Sequence, residues 1–291
     1  MRMVDLMSCS ALALGAALVV APTVEGAPPS AEPNSYYLIG NSLTWDTVPQ
    51  LLSGDVAWHV DCGVNLPYIH ANPGKPCVKT STLWPDALRG KQYDIVSVQP
   101  HYGSTLAADV ETISAWMEMQ PGAVFVIHTG WARNSDRAAE FGSYLAPEQM
   151  THSPGYIRAL VAELRRRYPE RELRQTFAQN LLAKVAEDIQ NQRAPLKDLR
   201  ELYRDAIHLT LDHGRYLMHN AMRKALGQPA SADGFQENLD PEIRKYLDGV
   251  LALLDTSAAD KSLLVEILAV EPKQDRAALA ARLSDKDLRD K

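Results

Sequence analysis

The chain has 291 residues, of which 46% are hydrophobic and 23% are charged, and its formal net charge is −6. These values are close to those of an average globular protein and exclude a disordered chain, and three cysteines in this length exclude a disulfide-stabilised miniprotein. The lysines and arginines form no long cluster, so the sequence lacks the electrostatic footprint of a protein that binds phosphate backbones. We therefore expect no nucleic-acid partner.

Residues 1–26 are typical of a secretory signal peptide. Arg2 precedes an apolar stretch, residues 11–21, which is too short to cross a bilayer but suits the hydrophobic region of a signal peptide. Cleavage near Gly26 would leave a mature chain that is exported to the periplasm or the extracellular space; a buried N-terminal helix is the alternative. No later segment is apolar over the roughly 18 residues that a spanning helix needs, so no membrane span is expected in the mature chain.

Removal of residues 1–26 leaves two cysteines, Cys62 and Cys77. In an oxidising compartment such a pair predicts a disulfide, and two unpaired buried thiols are the alternative. Closing a loop of about 15 residues would stabilise the fold by roughly 3 kcal/mol. The enclosed segment, 63–76, is rich in Gly, Pro and Asn, which predicts a loop with little regular structure of its own.

The chain then alternates between short apolar runs and helical patterns. Residues 27–34 are Pro-rich and predict a flexible lead-in, so the fold is expected to start at Ser35. Strands are predicted at residues 36–39, 56–60, 94–98, 123–128 and 172–177, and helices at residues 48–52, 83–88, 106–119, 156–167 and 181–190. This alternation predicts a parallel sheet that helices cover on both faces, which is a three-layer α/β/α fold.

The sequence changes in character after Leu226. Residues 227–237 are polar, and from Pro241 onward the pattern is helical. Apolar residues recur there at helical spacing and predict one apolar face: Ile243, Tyr246, Leu247, Val250, Leu251 and Leu254. We predict a main domain at 35–227 and a helical C-terminal extension at 228–291. The extension could cover the main domain, pair with another subunit, or form a small helical cap.

Gly40-Asn41-Ser42 follows the first predicted strand directly. Ligands of open α/β sheets bind at the carboxyl ends of the strands, so Ser42 would lie where a nucleophile can act. A Gly-Asn-Ser turn without any catalytic role is the alternative.

Asp205 lies three residues before His208, near the end of the predicted main domain. A carboxylate at this spacing can accept the Nδ1 proton of the imidazole and leave Nε2 free to act as a base. A turn capped by Asp205 and a surface histidine at His208 are the alternative. Together with Ser42, this pair forms a distributed set of side chains with the roles of nucleophile, base and orienting carboxylate.

Gly40-Asn41-Ser42-Leu43 resembles the first motif block of the SGNH or GDSL-like hydrolases, and Asp205-Ala206-Ile207-His208 resembles their last block. The resemblance spans about residues 36–226, and the order of the blocks matches that of the family. It implies a parallel, flavodoxin-like sheet and a serine esterase that needs no cofactor. Ser42 would be the nucleophile, His208 the base, and Asp205 the residue that orients the base.

The resemblance also implies an oxyanion hole. The segment that starts at Cys62 is similar to the block whose glycine N–H joins the hole, so Gly63 is the candidate beside the N–H of Ser42. Where the family usually has Gly-x-Asn-Asp, this chain has Ser97-Val98-Gln99-Pro100-His101. Gln99 is then the expected amide donor, as in a branch of the family that has Gln at this place.

Side chains near these motifs are candidates for the substrate pocket: Trp45, His101, Tyr102 and Trp131. Aromatic side chains suit sugar rings, although packing is their commoner use. We expect a small-molecule or saccharide ester as the substrate. The histidines lack HExxH spacing and the cysteines lack a Cys-x-x-Cys pattern, so no metal is expected.

The sequence therefore predicts an exported serine-dependent ester hydrolase. A non-catalytic module that binds a glycan or a surface partner, and that assembles through the helices of residues 228–291, is the second hypothesis. A metal-dependent phosphoesterase is the third. Hydrolysis of a simple acetyl ester distinguishes the first hypothesis from the second, and insensitivity to a chelator excludes the third.

Overall fold

The computed structural model of the protein describes residues 35–141 and 151–255. Within these residues, five strands form one parallel sheet in the order β2-β1-β3-β4-β5. They are β1 (Ser35–Gly40), β2 (Asp55–Val60), β3 (Ile95–Val98), β4 (Val124–Ile127) and β5 (Leu173–Gln175). This order is that of flavodoxin-like, doubly wound folds. The predicted signal peptide and lead-in, at 1–34, lie outside the described residues, as do residues 256–291.

Helices connect the strands and cover the sheet. They are α1 (Ser42–Trp45), α2 (Leu66–Ala71), α3 (Trp84–Gly90), α4 (Leu106–Met119), α5 (Arg137–Phe141), α6 (Pro154–Arg167), α7 (Ala178–Gln190), α8 (His213–Ala225) and α9 (Pro241–Ala252). Short 3-10 turns lie at Pro49–Leu51, Leu199–Leu202, Gln236–Asn238 and Leu253–Asp255. With helices on both faces of a parallel sheet, the predicted three-layer α/β/α fold is confirmed.

Strand β1 lies between β2 and β3 in the sheet and is buried on both faces. Tyr37 and Ile39 belong to the core that α2, α3, α4 and α6 cover. Tyr36 and Leu38 point to the opposite face and pack near Met222 of α8. Successive side chains of a strand point to opposite faces, so an unbroken apolar run is the pattern that a strand buried on both faces requires.

Two local predictions were wrong. The segment 63–76, predicted as a loop, contains α2, because the side chain of Asn65 accepts a hydrogen bond from Tyr68 N at 3.0 Å and Leu66 and Ile69 are buried. The helix predicted at 48–52 is only a 3-10 turn, and it follows Val48, which has a left-handed φ of 51°. Helix α1 instead begins earlier, at Ser42.

Cys62 and Cys77 form a disulfide, as predicted, with Cα atoms 5.6 Å apart. The backbone N–H of Cys77 donates to Val60 O at 3.1 Å, so the cross-linked loop is also tied to the end of β2. A disulfide is typical of proteins in an oxidising compartment. None of the helices in the described part of the chain combines the length and the apolar character that crossing a lipid bilayer requires.

Helix α9 packs on the main domain. Leu247, Val250 and Leu251 are buried in the same core as side chains of α7 and α8. At the edge of this contact, the hydroxyl of Tyr246 donates to Asp188 Oδ2 at 3.0 Å. Helix α9, at the start of the predicted C-terminal extension, therefore covers α7 and α8.

Candidate active site

The candidate site lies where the strand order reverses. Strand β1 pairs with β2 on one side and with β3 on the other, so the segments after β1 and β3 diverge at the carboxyl edge of the sheet. Ser42 follows β1, and Gln99 and His101 follow β3. Ligands of doubly wound sheets bind at such a switch point.

Gly40 allows the chain to turn sharply into α1. A Cβ atom at this position would lie 2.1 Å from Thr44 Oγ1 and 2.8 Å from Gln99 Cβ, so no other residue fits here without displacing its neighbours. Asn41 then caps α1, with its Oδ1 accepting from Leu43 N at 2.9 Å. Ser42 is thus the first residue of a helix that starts directly at the sheet edge.

The buried side chain of Gln99 forms hydrogen bonds with the turn between β1 and α1. Its Oε1 accepts hydrogen bonds from Asn41 N at 3.0 Å and from Thr44 Oγ1 at 3.2 Å, while its Nε2 donates to Pro100 O at 2.8 Å. The side chain is 1% exposed. The contacts of Gln99 therefore hold the turn that carries Ser42, and its role as a donor to an oxyanion stays a prediction.

Ser42, His208 and Asp205 lie within hydrogen-bonding distance of one another in series. His208 Nε2 is 2.8 Å from Ser42 Oγ, and His208 Nδ1 is 2.8 Å from Asp205 Oδ2. Because an ionised carboxylate can only accept, Nδ1 carries the proton and Nε2 is the acceptor for the serine hydroxyl. This is the tautomer in which an imidazole can remove the proton of a serine.

The chain around His208 forms a tight loop. Arg204 N donates to His208 O at 2.9 Å, and Asp205 Oδ1 accepts from Ile207 N at 2.9 Å and from His208 N at 2.7 Å. Partial burial tends to raise the pKa of Asp205, but the hydrogen bonds from His208 and Ile207 outweigh it and lower the pKa to about 2. Asp205 is therefore ionised at neutral pH.

Asp46 anchors this loop to α1. Its side chain is 0% exposed and lies 3.1 Å from Arg204 Nη1 and 2.8 Å from Arg215 Nη2. Its Oδ2 also accepts from Leu209 N at 3.0 Å. Two cations and one backbone N–H thus compensate a fully buried carboxylate, which ties residues on both sides of His208 to the helix of Ser42.

The loop after β4 supports the His208 loop from another side. Trp131 Nε1 donates to Ile207 O at 2.7 Å, and Asn134 N donates to Ala206 O at 2.9 Å. Trp131 is 0% exposed. It therefore lies behind the loop that carries His208, and we assign it a supporting position instead of the predicted place in the pocket.

The two backbone donors predicted for the oxyanion hole lie on adjacent segments. Asn41 Nδ2 donates to Val64 O at 3.0 Å and so links the turn of Ser42 to the segment of Gly63. Gly63 has a φ of 74°, which favours glycine. Among the described residues, neither the N–H of Ser42 nor that of Gly63 donates a hydrogen bond.

The other predicted pocket residues fall into two groups. Trp45 is half-buried and packs edge-on against Trp58, with ring centroids 5.9 Å apart. His101 and Tyr102 follow β3, and Tyr102 donates its hydroxyl proton to Glu140 Oε1 at 2.5 Å. The exposed guanidinium of Arg133 lies 5.2 Å from the centroid of the Tyr102 ring. His101 and Tyr102 are therefore part of a polar cluster that also contains Glu140 and Arg133.

Sequence reasoning missed Asp46, Glu140 and His152. Asp46 lies four residues after Ser42, one helical turn away, which is a spacing that could have pointed to it. His152 and Glu140 flank residues 142–150, which lie outside the described residues, and no periodic pattern marks either one. No group of three His, Cys, Asp or Glu side chains in the described ranges could hold a metal ion.

Among known proteins, this chain shows similarity only to solved structures. No family model and no curated protein matches the chain. It is similar to a structure described as a GDSL-like lipase from Parabacteroides merdae, with 14% identity, a TM-score of 0.41, and coverage of 67% of this chain and 97% of that chain. It is also similar to a salicylyl-acyltransferase from a tetracycline biosynthetic pathway, with 12% identity, a TM-score of 0.40, and coverage of 69% and 55%.

Proposed function

We propose that this protein is a serine-dependent ester hydrolase of the SGNH type, in which Ser42, His208 and Asp205 form a catalytic triad. The observation that carries the proposal is the continuous hydrogen-bond series from Ser42 Oγ through the imidazole of His208 to Asp205, with both links at 2.8 Å. A serine, a histidine base and an orienting carboxylate are the components of an activated nucleophile.

The proposed reaction has two stages. Ser42 Oγ attacks the ester carbonyl while His208 Nε2 takes the hydroxyl proton, and Asp205 stabilises the resulting imidazolium. His208 then gives that proton to the departing alcohol, leaving an acyl group on Ser42. In the second stage, His208 Nε2 takes a proton from water, the resulting hydroxide attacks the acyl carbonyl, and the proton returns to Ser42 as the acid departs.

The negative charge that develops on the carbonyl oxygen needs hydrogen-bond donors. The N–H groups of Ser42 and Gly63 are the proposed donors, since both lack a partner among the described residues and the bond from Asn41 to Val64 holds their segments together. The Gln99 amide is the third proposed donor. Loss of one such donor typically lowers the rate by about 10²- to 10³-fold.

The substrate that we propose is an acyl or acetyl ester of a small molecule or a saccharide. The disulfide between Cys62 and Cys77 is compatible with the proposed export of the chain after cleavage near Gly26. The proposal needs no metal and no cofactor, because each step uses only the proton of Ser42, the imidazole of His208 and water.

The proposal is tested with the full chain and the variant Ser42→Ala on p-nitrophenyl acetate, with and without a chelator. We expect the native protein to hydrolyse the ester whether or not the chelator is present, and the variant to lose more than about 10³-fold in rate. The serine is half-buried at the surface of the fold, so this small change should leave the unfolding midpoint close to the native value.

Equal and near-zero rates would instead favour the non-catalytic alternative. Labelling with a serine-directed phosphonate then decides, because an activated Ser42 reacts with it even when p-nitrophenyl acetate is a poor substrate. Absence of labelling at Ser42 in the native protein would overturn the proposed function. Activity that the chelator abolishes would favour a metal-dependent phosphoesterase.

A further inference from the structure

Two buried histidines next to the triad form a hydrogen-bond chain that the proposed mechanism does not use. His101 Nδ1 lies 3.1 Å from His152 Nε2, and His152 Nδ1 lies 3.3 Å from Thr129 O. His152 is 0% exposed and His101 is 8% exposed. This series of hydrogen bonds therefore runs from the backbone just after β4 to His101, which follows the carboxyl end of β3.

The carbonyl at one end fixes the direction of every hydrogen bond in this chain. Thr129 O can only accept, so His152 Nδ1 must carry the proton and donate it. His152 Nε2 of a neutral ring is then an acceptor, and His101 Nδ1 must donate to it. His101 in its neutral form is left with Nε2 as an unprotonated acceptor.

Both rings are neutral at physiological pH. Burial holds the pKa of His152 well below the usual range, and the nearby His101 lowers it further. Burial likewise lowers the pKa of His101 to about 4, and positive charge on Arg133 and on His208 acts in the same direction. The acceptor at His101 Nε2 therefore persists under conditions in which an ordinary histidine gains a second proton.

The His101 ring lies near the candidate catalytic residues. Gln99, two residues earlier, contacts the turn of Ser42 through Asn41 N, and the charge of His208 acts on the His101 ring. Among the described residues, His101 Nε2 has no hydrogen-bond partner, and it is not one of the fully buried polar atoms although the residue is only 8% exposed. A donor on a ligand can therefore reach this nitrogen and bind its lone pair.

We propose that His101 is a specificity-determining residue that accepts a hydrogen bond from a hydroxyl group on the alcohol part of the ester, and that His152 positions it. The substrate class is then the ester of a polyol or a sugar, in which a free hydroxyl neighbours the acylated oxygen. His208 returns its proton to the leaving alcohol, so a group that faces His208 also faces that side of the substrate. This inference rests on the proposed esterase function.

The experiment compares two acetate esters of equal size with the full chain. 2-Hydroxyethyl acetate carries a hydroxyl where n-propyl acetate carries a methyl group, so only the first can donate to His101. We expect kcat/KM, corrected for the alkaline hydrolysis rate of each ester, to be about 10- to 100-fold higher for the hydroxyl ester. In His101→Phe the ratio should fall close to 1.

The matched control is His70→Phe, which replaces a half-buried histidine that stacks on the core residue Trp84, with ring centroids 4.7 Å apart. This variant should keep the native ratio. A native ratio near 1, or a ratio that His101→Phe leaves unchanged, would overturn the inference. If either of these results is found while p-nitrophenyl acetate is hydrolysed in a Ser42-dependent manner, the proposed esterase function stands and only the role of His101 is contradicted.

The tautomer of His101 can be observed directly in the native chain, so this test does not depend on the folding of a variant. In the ¹⁵N-labelled native chain, ring-nitrogen NMR should show His101 with a protonated Nδ1 and an unprotonated Nε2 at pH 7, and the same state should persist at pH 5.5. A protonated Nε2 at either pH would overturn the inference. If none of the three esters is hydrolysed and Ser42 resists the phosphonate, the proposed function fails, and the assigned substrate class fails with it.

Discussion

The carboxylate of Asp205 organises the candidate base over a span of only three residues. Its Oδ1 accepts from the backbone N–H groups of Ile207 and His208, and its Oδ2 accepts from the imidazole. The same side chain thus shapes the loop and orients the ring. Because these contacts are local, the orientation of the imidazole relative to its own loop depends on a few neighbouring residues, whereas distant residues hold the loop in place.

Asp205→Asn separates these two effects. Asparagine can still accept the backbone N–H groups through its oxygen, but its amide nitrogen would face His208 Nδ1 and favour the tautomer with the proton on Nε2. We expect kcat to fall by about 10³- to 10⁴-fold with p-nitrophenyl acetate, while the thermal unfolding midpoint changes little. A variant that retains a tenth or more of the native kcat would remove Asp205 from the proposed triad.

Asp109 shows what burial does to a carboxyl group away from the site. It is 0% exposed on α4 and accepts from Ser104 Oγ at 2.8 Å and Tyr156 OH at 2.5 Å. Burial raises the pKa of Asp109 to about 6, although the hydrogen bonds from Tyr156 and Ser104 act in the opposite direction. The folded chain therefore binds a proton here that the unfolded chain releases.

Stability should consequently fall as the pH rises. Below the ordinary pKa of aspartate, Asp109 is protonated in both the folded and the unfolded chain. Between about pH 4 and pH 6, Asp109 is protonated only in the folded chain. The free energy of unfolding therefore decreases by about 3 kcal/mol as the pH rises across this window. In Asp109→Asn this contribution is absent. Urea unfolding at pH 4 and pH 7 should show the variant gaining about 3 kcal/mol relative to the native chain between the two conditions.

Asp198→Asn is the control for this measurement. Hydrogen bonds to Arg200 lower the pKa of Asp198 to about 2, so its contribution is complete near pH 4 and is lost only at lower pH. The stability difference between this variant and the native chain should stay nearly constant from pH 4 to pH 7. A constant difference for Asp109→Asn as well would contradict the assignment.

At the scale of elements, the candidate site depends on how α1 is joined to the loop before α8. Asp46 follows α1 directly and binds Arg204, Arg215 and Leu209 N, which lie on that loop and on α8. Ser42 and His208 belong to different elements, so the 2.8 Å distance between Ser42 Oγ and His208 Nε2 depends on this junction. We therefore propose that Asp46 is a positioning residue.

Asp46→Asn should lower both stability and activity. Removing the buried negative charge leaves two arginines without their partner, for which we expect a loss of about 3 to 5 kcal/mol in the free energy of unfolding. The His208 loop should shift relative to α1, so kcat should fall at least about tenfold with a smaller change in KM. Both quantities are measured at a temperature at which urea unfolding shows the variant to be folded.

Asp188→Asn is the matched control, because Asp188 is also buried between two cations. Its Oδ1 lies 2.5 Å from Lys184 Nζ and 2.8 Å from Arg193 Nε, at the end of α7. This variant should lose stability without losing kcat. If Asp46→Asn likewise keeps the native kcat, Asp46 serves stability alone.

At the scale of the whole molecule, α9 extends the core beyond the sheet domain. Leu247 and Leu251 are 0% and 1% exposed and lie in one cluster with side chains of α7 and α8. Contacts of this kind couple the unfolding of a helix to that of the domain. Residues 241–252 should therefore unfold together with residues 35–227.

Leu247→Ala tests this coupling. Truncation of a fully buried leucine typically costs about 2 to 5 kcal/mol, so urea unfolding should remain a single transition with a lower midpoint. Lys245→Ala, on the exposed face of the same helix, should change the free energy of unfolding by less than about 0.5 kcal/mol. Equal effects of the two substitutions would show that α9 is not part of the cooperative core.

The sequence predicted the long elements well and the short ones poorly. The helix predicted at 106–119 matches α4, and all five strands lie at or within a residue or two of their predicted ranges, because apolar periodicity directly reports burial. Helices α1 and α2 are too short to show a periodic pattern of apolar residues. Their first turns are instead defined by the side chains of Asn41 and Asn65, which cap them.

The motifs of the candidate site could be predicted from the sequence, but the residues that hold these motifs in place could not. Asp205 and His208 are close in sequence, so their spacing carries chemical information. Asp46 contacts Leu209 across 163 residues, and His101 contacts His152 across 51. No local pattern reports contacts at such separations, because they arise only when the strand order has brought the loops together.

The separation of Ser42 from His208, 166 residues along the chain, also bears on the order in which the molecule is made. Synthesis proceeds from the N-terminus, so a growing chain contains Ser42 long before His208 is made. On the proposed mechanism, Ser42 is an ordinary alcohol until the loop of Asp205 has emerged and folded. An unfinished chain, or a proteolytic fragment that ends before this loop, should therefore hydrolyse no ester.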